Sequence, residues 1–355
     1  MNNSKLLDIL NNFNIPETSF IISEVDQGNI NQSYFIFCDN KPLYVLQKIN
    51  TAVFSNIEAL IFNFNYISKL LSHADKKTLT LISTKDNECF CRDGQNNVWR
   101  LCPFIRKSIS FQETSKKEIA VEAGKLLGDF HFVCSKGDIR ELKENVPEFH
   151  NTLRYYTALK DKVKQRQKEI FLEVSEIIDF ISSREEDISF FEIAFKQGSI
   201  TKKLVHNDTK LSNMLFNEQS LEGICLIDLD TVDRGLLPYD FGDSVRSICK
   251  KKIESEVLFD IDLFEEFVKG YFLKIDSRVL GNDYNYLFQG AKSVTLELLI
   301  RYLTDFISQG DYFKLDNKQD ALRRAMMLQT LFLSMENNEE KALTIIKKYS
   351  GTKYE

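Results

Sequence analysis

Leu204-Val205-His206-Asn207-Asp208-Thr209-Lys210-Leu211-Ser212-Asn213-Met214-Leu215-Phe216, then Ile224-Cys225-Leu226-Ile227-Asp228-Leu229-Asp230, is the stretch on which the reading of this sequence turns. Met214–Phe216 and Ile224–Ile227 are apolar runs on either side of 217–223, which has the composition of a hairpin turn. A hairpin sets Asn213, just before the first strand, and Asp228, just after the second, at one end and close in space. The residues leading in keep the spacing H-x-D-x-x-x-x-N through His206, Asp208 and Asn213.

That spacing fits phosphoryl transfer. An Asp beside an acceptor hydroxyl orients it and takes its proton, and an Asn a few residues on holds a metal ion. A short loop serves because both side chains must reach one site from a fixed backbone. Asp208 is the candidate base, and Asn213 and Asp228 are the candidate Mg²⁺ ligands. Mg²⁺ asks for only one or two protein oxygens besides phosphate and water. His206 reads as a structural hydrogen-bonding residue, since Asp208 already fills the role of base. Lys210 reads equally as a phosphate contact or as a solvated cation. Asp240-Phe241-Gly242 spells a D-F-G, but the metal Asp belongs at the end of the hairpin, where Asp228 stands. Asp240 is expected instead to accept backbone N–H bonds near the catalytic loop.

Outward from this segment, the N-terminal side alternates between strand and turn. Phe20–Ile22, Tyr34–Phe37 and Leu43–Leu46 read as strands, with Cys38-Asp39-Asn40-Lys41 turning the chain. A helix is expected from about 56 to 71, and more strands at 79–83, 88–92 and 98–104. From 115 onward the pattern is helical: 117–134 carries Ile119, Ala123, Leu126, Leu127 and Phe130 on one face, 148–184 holds two charged helices, and the chain after 240 is mostly helical. The expected fold is α+β and bilobal. Residues 1–103 form an antiparallel sheet lobe with one helix, and 104–355 form a larger helical lobe, with the site in the cleft between them.

Composition bounds the function. The 355 residues are 43% hydrophobic and 28% charged, as in a globular chain with an ample core. A formal net charge of −6 argues against a nucleic-acid partner. The N-terminal segment lacks a basic stretch followed by an apolar run, and no apolar run is long enough to cross a bilayer, so a cytoplasmic protein without a membrane partner is expected. The seven cysteines include one C-x-C, Cys89 and Cys91, and no paired C-x-x-C, so reduced thiols are expected rather than a metal site. The four histidines lack zinc-binding spacing.

The motif segment resembles the aminoglycoside phosphotransferase and choline kinase superfamily, which has a protein-kinase-like bilobal fold. In detail HNDTKLSNMLF and IDLDTVDRGLLPYDFGDSVRS look like the N-acetylhexosamine 1-kinases, as do DQGNINQSYFIF, YVLQKINTAVFSNIEAL, FHNTLRYYTALK and RYLTDFISQGDYFK, so the likeness spans nearly the whole chain. It implies ATP and Mg²⁺ as cofactors, and transfer to the anomeric hydroxyl of N-acetylglucosamine or N-acetylgalactosamine. By matched position it implies sugar contacts at Asp208, Thr231, Arg301 and Tyr312. On physical grounds Arg301, in an otherwise apolar helical run, suits either that role or a salt bridge to Glu297 one turn back.

On the nucleotide side, the segment Asp26 to Asn31, with Gly28, Asn29 and Asn31, stands where a hairpin loop covers the phosphates. The phosphate-holding lysine of the superfamily falls on Gln47 or Lys48; strand alternation puts these on opposite faces. Glu58 is its candidate partner, or simply a favourable acid in a helix's first turn. Arg100 to Phe104, with Cys102 at its centre, stands where the lobes join and adenine would bond to backbone. Two other readings stay open: a kinase of the same superfamily for an amino-alcohol or aminoglycoside, and a non-catalytic nucleotide-binding protein.

Overall fold

A computed structural model describes every residue except 1–2, 17–18, 26–29, 167–171, 255, 276, 309, 311–312, 314, 316 and 352–355. The chain opens with α1 (Asn3–Leu10), then β1 (Ile21–Val25), β2 (Gln32–Cys38) and β3 (Lys41–Ile49). Asp39 and Asn40, with φ of 50° and 60°, turn the β2–β3 hairpin, as its twist demands of a two-residue loop. Next comes α2 (Ile57–His73), where the Asn56 side chain caps the Ala59 N–H at 3.0 Å. Then β4 (Cys91–Arg92) and β5 (Val98–Pro103) complete a five-stranded antiparallel sheet of order β1-β2-β3-β5-β4.

The expected strand at 79–83 touches this sheet through one bond, from the Ile82 N–H to the Leu101 carbonyl of β5 at 2.8 Å, without becoming one of its strands, and the one at 88–92 shrinks to β4. The reason lies in where their backbone bonds go. The Asn14 N–H donates to the Ser83 carbonyl at 2.9 Å and the Lys85 N–H to the Asn12 carbonyl at 2.8 Å, so this stretch ties down the turn after α1. Register fixes the two faces of the sheet. Tyr34, Ile36, Leu46, Trp99 and Leu101 pack with Leu6, Ile9 and Leu10 of α1. Gln47 pairs with Arg100 and Val45 with Cys102 on the other face, toward α2 and the rest of the molecule.

After residue 107 come β6 (Ser108–Ile109), α3 (Lys117–Cys134), α4 (Thr152–Gln165), α5 (Leu172–Ser182), α6 (Glu185–Lys196), β7 (Lys203–Val205), β8 (Met214–Asn217), β9 (Gly223–Leu226) and β10 (Asp233–Gly235). The helical remainder is α7 (Leu237–Ile248), the β11 (Lys250–Ile253) and β12 (Glu256–Phe259) pair, α8 (Ile261–Phe272), α9 (Ser277–Leu280), α10 (Leu287–Ser308), α11 (Lys318–Asn337) and α12 (Glu339–Ser350). Here β8 and β9 form the expected hairpin, with Met214 opposite Leu226 and β6 added alongside; β7 pairs with β10. The largest core fills this part, from Ile119 and Leu127 on α3 through Phe241 on α7 to Leu296 and Leu299 on α10. Where α7 crosses α10, the helices approach so closely that a Cβ on Gly242 would overlap the Gly290 backbone and one on Gly290 would overlap that of Pro238. Among the described residues, no helix is long and apolar enough to cross a membrane.

Candidate active site

Between β7 and β8 the backbone cannot run straight: Asn207 adopts φ 67°, a left-handed conformation that asparagine tolerates. Asp240, wholly buried on the first turn of α7, holds it there. Its two oxygens accept the His206 and Asn207 N–H groups, each at 2.7 Å, and its Oδ2 lies 3.1 Å from His131 Nε2. Burial pushes the Asp240 carboxyl up, but His131 and the other donors more than offset this and keep it ionised. Asp240 thus accepts the backbone bonds expected of it. His206 is also structural: its Nε2 donates to the Ile227 carbonyl at 3.0 Å and its Nδ1 accepts from the Asp208 N–H at 3.3 Å, with burial lowering its pKa.

This frame brings three side chains together. Asp208 Oδ2 accepts from Lys210 Nζ at 2.6 Å and from Asn213 Nδ2 at 2.9 Å. The Ile227 N–H donates to the Asn213 carbonyl at 2.8 Å, closing the hairpin end and bringing Asp228 beside Asn213. Asp228 also has positive φ, 64°, at the first bend after β9. Burial raises the Asp208 carboxyl, but Lys210, the Asn213 bond and His206 outweigh it, and the pKa is lowered. For Asp228 the compensation falls short: burial first, then the charges of Asp230 and Asp208, push it up to about 7 against the opposing charges of Lys210 and Arg100. Among the described residues, no group donates to the Asp228 carboxylate or to Asn213 Oδ1. A carboxylate crowded by two others, beside an amide oxygen, is a donor set that suits a hard divalent cation such as Mg²⁺. Lys210, close to Asp208 and Asp228, has its pKa raised despite burial and remains charged.

The acceptor side is reached through α10. The Arg301 guanidinium is 3.7 Å from Glu297 Oε1, 4.9 Å from the Tyr155 ring centroid and 5.8 Å from that of Phe313. Glu297 also faces His150 Nδ1 at 3.0 Å, and His150 Nε2 lies 3.0 Å from the Asn207 carbonyl. Two side chains therefore connect Arg301 to the loop of Asp208. Thr231 is buried beneath that loop, its hydroxyl donating to the His206 carbonyl at 2.7 Å, so toward a ligand it has only lone pairs to offer. Tyr312, Gly28 and Asn29 lie outside the described residues.

On the sheet side, register separates Gln47 from Lys48. Gln47 is on the inner face, accepting from Arg100 Nε and Nη2 at 3.0 and 2.7 Å, while Lys48 shares the outer face with Trp99. Glu58 pairs with neither: it is exposed on α2, because Ile57, Leu60, Ile61 and Phe64 claim the buried stripe, which leaves it the part of a first-turn acid. Cys102 is buried where the sheet meets the main core, and burial pushes its thiol up to about 11, so its side chain is neutral. Asn31 Nδ2 donates to Asp230 Oδ2 at 2.6 Å. Sequence reasoning missed Arg100, which pairs with Asp230, both being 1% exposed. The available signal was a lone cation inside the apolar strand Val98-Trp99-Arg100-Leu101-Cys102. It also missed His150 as a partner of the loop, and its sequence neighbourhood carries no such signal.

An ionised Asp on a braced loop, an Asn–Asp pair across a hairpin and a sheet lobe beside them are the arrangement of a kinase-like fold. The profile of the phosphotransferase enzyme family (APH) matches residues 21–258. The chain belongs to that family. Solved structures of similar fold include a microcompartment-associated aminopropanol kinase, with 13% identity, TM-score 0.61 and coverage of 96% of this chain and 99% of that one. A choline kinase from Cryptosporidium parvum Iowa II has 17% identity and TM-score 0.59 over 99% and 100% of the two chains. The amicoumacin kinase solved with AMP-PNP and Ca²⁺ has 13% identity and TM-score 0.60 over 93% of each.

Proposed function

We propose that this chain is an ATP-dependent kinase that phosphorylates the anomeric hydroxyl of an N-acetylhexosamine, N-acetylglucosamine or N-acetylgalactosamine, giving the sugar 1-phosphate. The observation that carries the reading is the convergence of Asp208, Asn213 and Asp228 at one end of the β8–β9 hairpin, with Asp240 fixing the loop beneath. Asp208 is the base. It is ionised at neutral pH and able to accept the acceptor's proton as the new P–O bond forms and ADP departs with the electrons of the old one. Asn213 and Asp228 would hold Mg²⁺, which when bound neutralises charge on the transferring phosphate and its neighbours.

A base with a lowered pKa is weak, and this bears on the acceptor. The anomeric hydroxyl is the most acidic on a sugar ring and asks least of such a base. Recognition would come from Arg301, Thr231 and Tyr312 on the helical side. The nucleotide would lie between residues 1–103 and 104–355, with Gly28, Asn29 and Gln47 toward its phosphates, Asn31 holding the end of that loop, and the backbone around Cys102 toward its base. Likeness of HNDTKLSNMLF and IDLDTVDRGLLPYDFGDS to the N-acetylhexosamine 1-kinases supports the sugar as acceptor.

The test is ADP release with ATP and Mg²⁺ across a panel of both N-acetylhexosamines, aminopropanol, choline and an aminoglycoside. Turnover is expected with the hexosamines. Asp208→Asn is expected to lower kcat by a factor of roughly 10²–10⁴ while nucleotide binding persists. Preference for an amino-alcohol would refute the sugar reading, and near-normal kcat in a folded Asp208→Asn variant would refute the base.

A further inference from the structure

One buried charged cluster is left over once these roles are assigned. Arg100, on β5, reaches both oxygens of Asp230, with Nη2 to Oδ2 at 3.0 Å, and lies over the Phe64 ring of α2 at 5.2 Å. Its remaining described partner is Gln47 on β3. Asp230 takes a further bond from Asn31, at the start of β2, and Asn31 Oδ1 in turn accepts the Asn50 N–H at 2.9 Å. Each described donor to the Asp230 side chain thus comes from the sheet side, and Asp230 lies two residues beyond Asp228 on the other side of the cleft.

An ion pair is a poor device for adhesion alone. Taking both charges out of water costs about as much as their attraction returns, and apolar residues would hold two surfaces together as well. What an ion pair adds is direction: a guanidinium fork and a carboxylate meet in one geometry. In protein kinases a strand lysine paired with a helix glutamate sets the sheet lobe relative to the phosphates. Here Lys48 faces outward and Glu58 is exposed, and the inward cation of the sheet is Arg100.

We propose that Asp230 is the carboxylate on which the sheet lobe docks, and that Arg100 and Asn31 are positioning residues that hold β5 and the start of β2 at the spacing needed to grip a nucleotide. This rests on the kinase reading. Arg100 does not touch the nucleotide; it acts through Asp230 and the turn that carries Asp228.

The experiment is a double-mutant cycle of Arg100→Gln and Asp230→Asn, read by thermal unfolding and by titration with AMP-PNP and Mg²⁺. Each single variant leaves a buried charge unpaired and is expected to lower Tm. The double variant removes both charges and is expected to recover most of that Tm, yet to bind Mg²⁺–AMP-PNP about tenfold or more weakly than wild type. Wild-type affinity in the double variant would overturn the proposal and leave the pair a stability element. Asn31→Ala, which unpairs no charge, is expected to raise KM for ATP several-fold with little change in Tm; an unchanged KM overturns the proposal by a route that does not depend on the charged variants folding. A wild-type protein that binds no Mg²⁺–nucleotide overturns the kinase reading itself, a separate result from a double variant that binds normally.

Discussion

Asp208 and Asp228 lie at the same, open end of one hairpin, yet their surroundings push them in opposite directions, the first down by Lys210 and the second up to about 7 by burial and two neighbouring carboxylates. Paired carboxylates driven apart in this way take different roles. In the proposed reading the first would accept a proton and the second would hold a cation. His150 makes a second contrast. Its ring nitrogens face Glu297 and the Asn207 carbonyl, an arrangement that favours the doubly protonated ring. Burial opposes that charge, but Glu297 and then Asp243 outweigh it, and the pKa is raised above 6.5. A raised folded pKa means that the stabilisation is complete below the unfolded value and is lost as pH rises through the folded one. We therefore expect the Tm gap between wild type and His150→Gln to be widest below about pH 6.5 and to narrow toward pH 9. A gap constant across that range would show that the ring is neutral. At this scale the sequence pointed to Asp208, Asn213, Asp228 and Asp240 as neighbours, because all are read from one local segment. Arg100 and His150 stayed hidden because their partners lie 130 and 147 residues away.

The elements that read clearly were those whose own composition decides them. The β8–β9 hairpin has apolar arms and a polar turn, and α2 and α3 keep a continuous buried stripe. The 79–83 segment alternates like a strand but divides its backbone bonds between Leu101 of β5, reached by the Ile82 N–H, and the turn after α1, reached by the Ser83 carbonyl, a choice made by neighbours distant in sequence. The crossing of α7 and α10 belongs to the same class of fact. Gly242 sits within the D-F-G that invites a catalytic reading, but its lack of a side chain serves the close approach to Gly290. Since α7 begins with Asp240, which holds the His206 and Asn207 N–H groups, the crossing and the Asp208 loop share one helix. Gly242→Ala is expected to destabilise the protein by roughly 1–3 kcal/mol, measured by urea unfolding, and to lower kcat as Asp240 shifts. Unchanged stability would show that the two helices can part without consequence.

For the whole molecule, the change from alternating strands to amphipathic helices near residue 110 already implied a sheet lobe joined to a helical one, and the structure has that arrangement. How the lobes engage was not legible, because Asn31, Arg100 and Asp230 come together only when the chain is folded. The Arg100–Asp230–Asn31 cluster, the Asp208 loop and α10 share one architectural consequence in the proposed reading. Nucleotide would be gripped from the sheet, acceptor from the helices, and transfer would occur where Asp208 and Asp228 meet between them. The acceptor hydroxyl is the point on which the sugar reading stands or falls. The most direct measurement is phosphorus NMR of the product formed from ATP, Mg²⁺ and N-acetylglucosamine or N-acetylgalactosamine, with the 1-deoxy sugar run in parallel. We expect a phosphate coupled to the anomeric proton and no product from the 1-deoxy sugar. A phosphate at another carbon, or equal phosphorylation of the 1-deoxy sugar, would contradict the assignment of the anomeric hydroxyl as the acceptor.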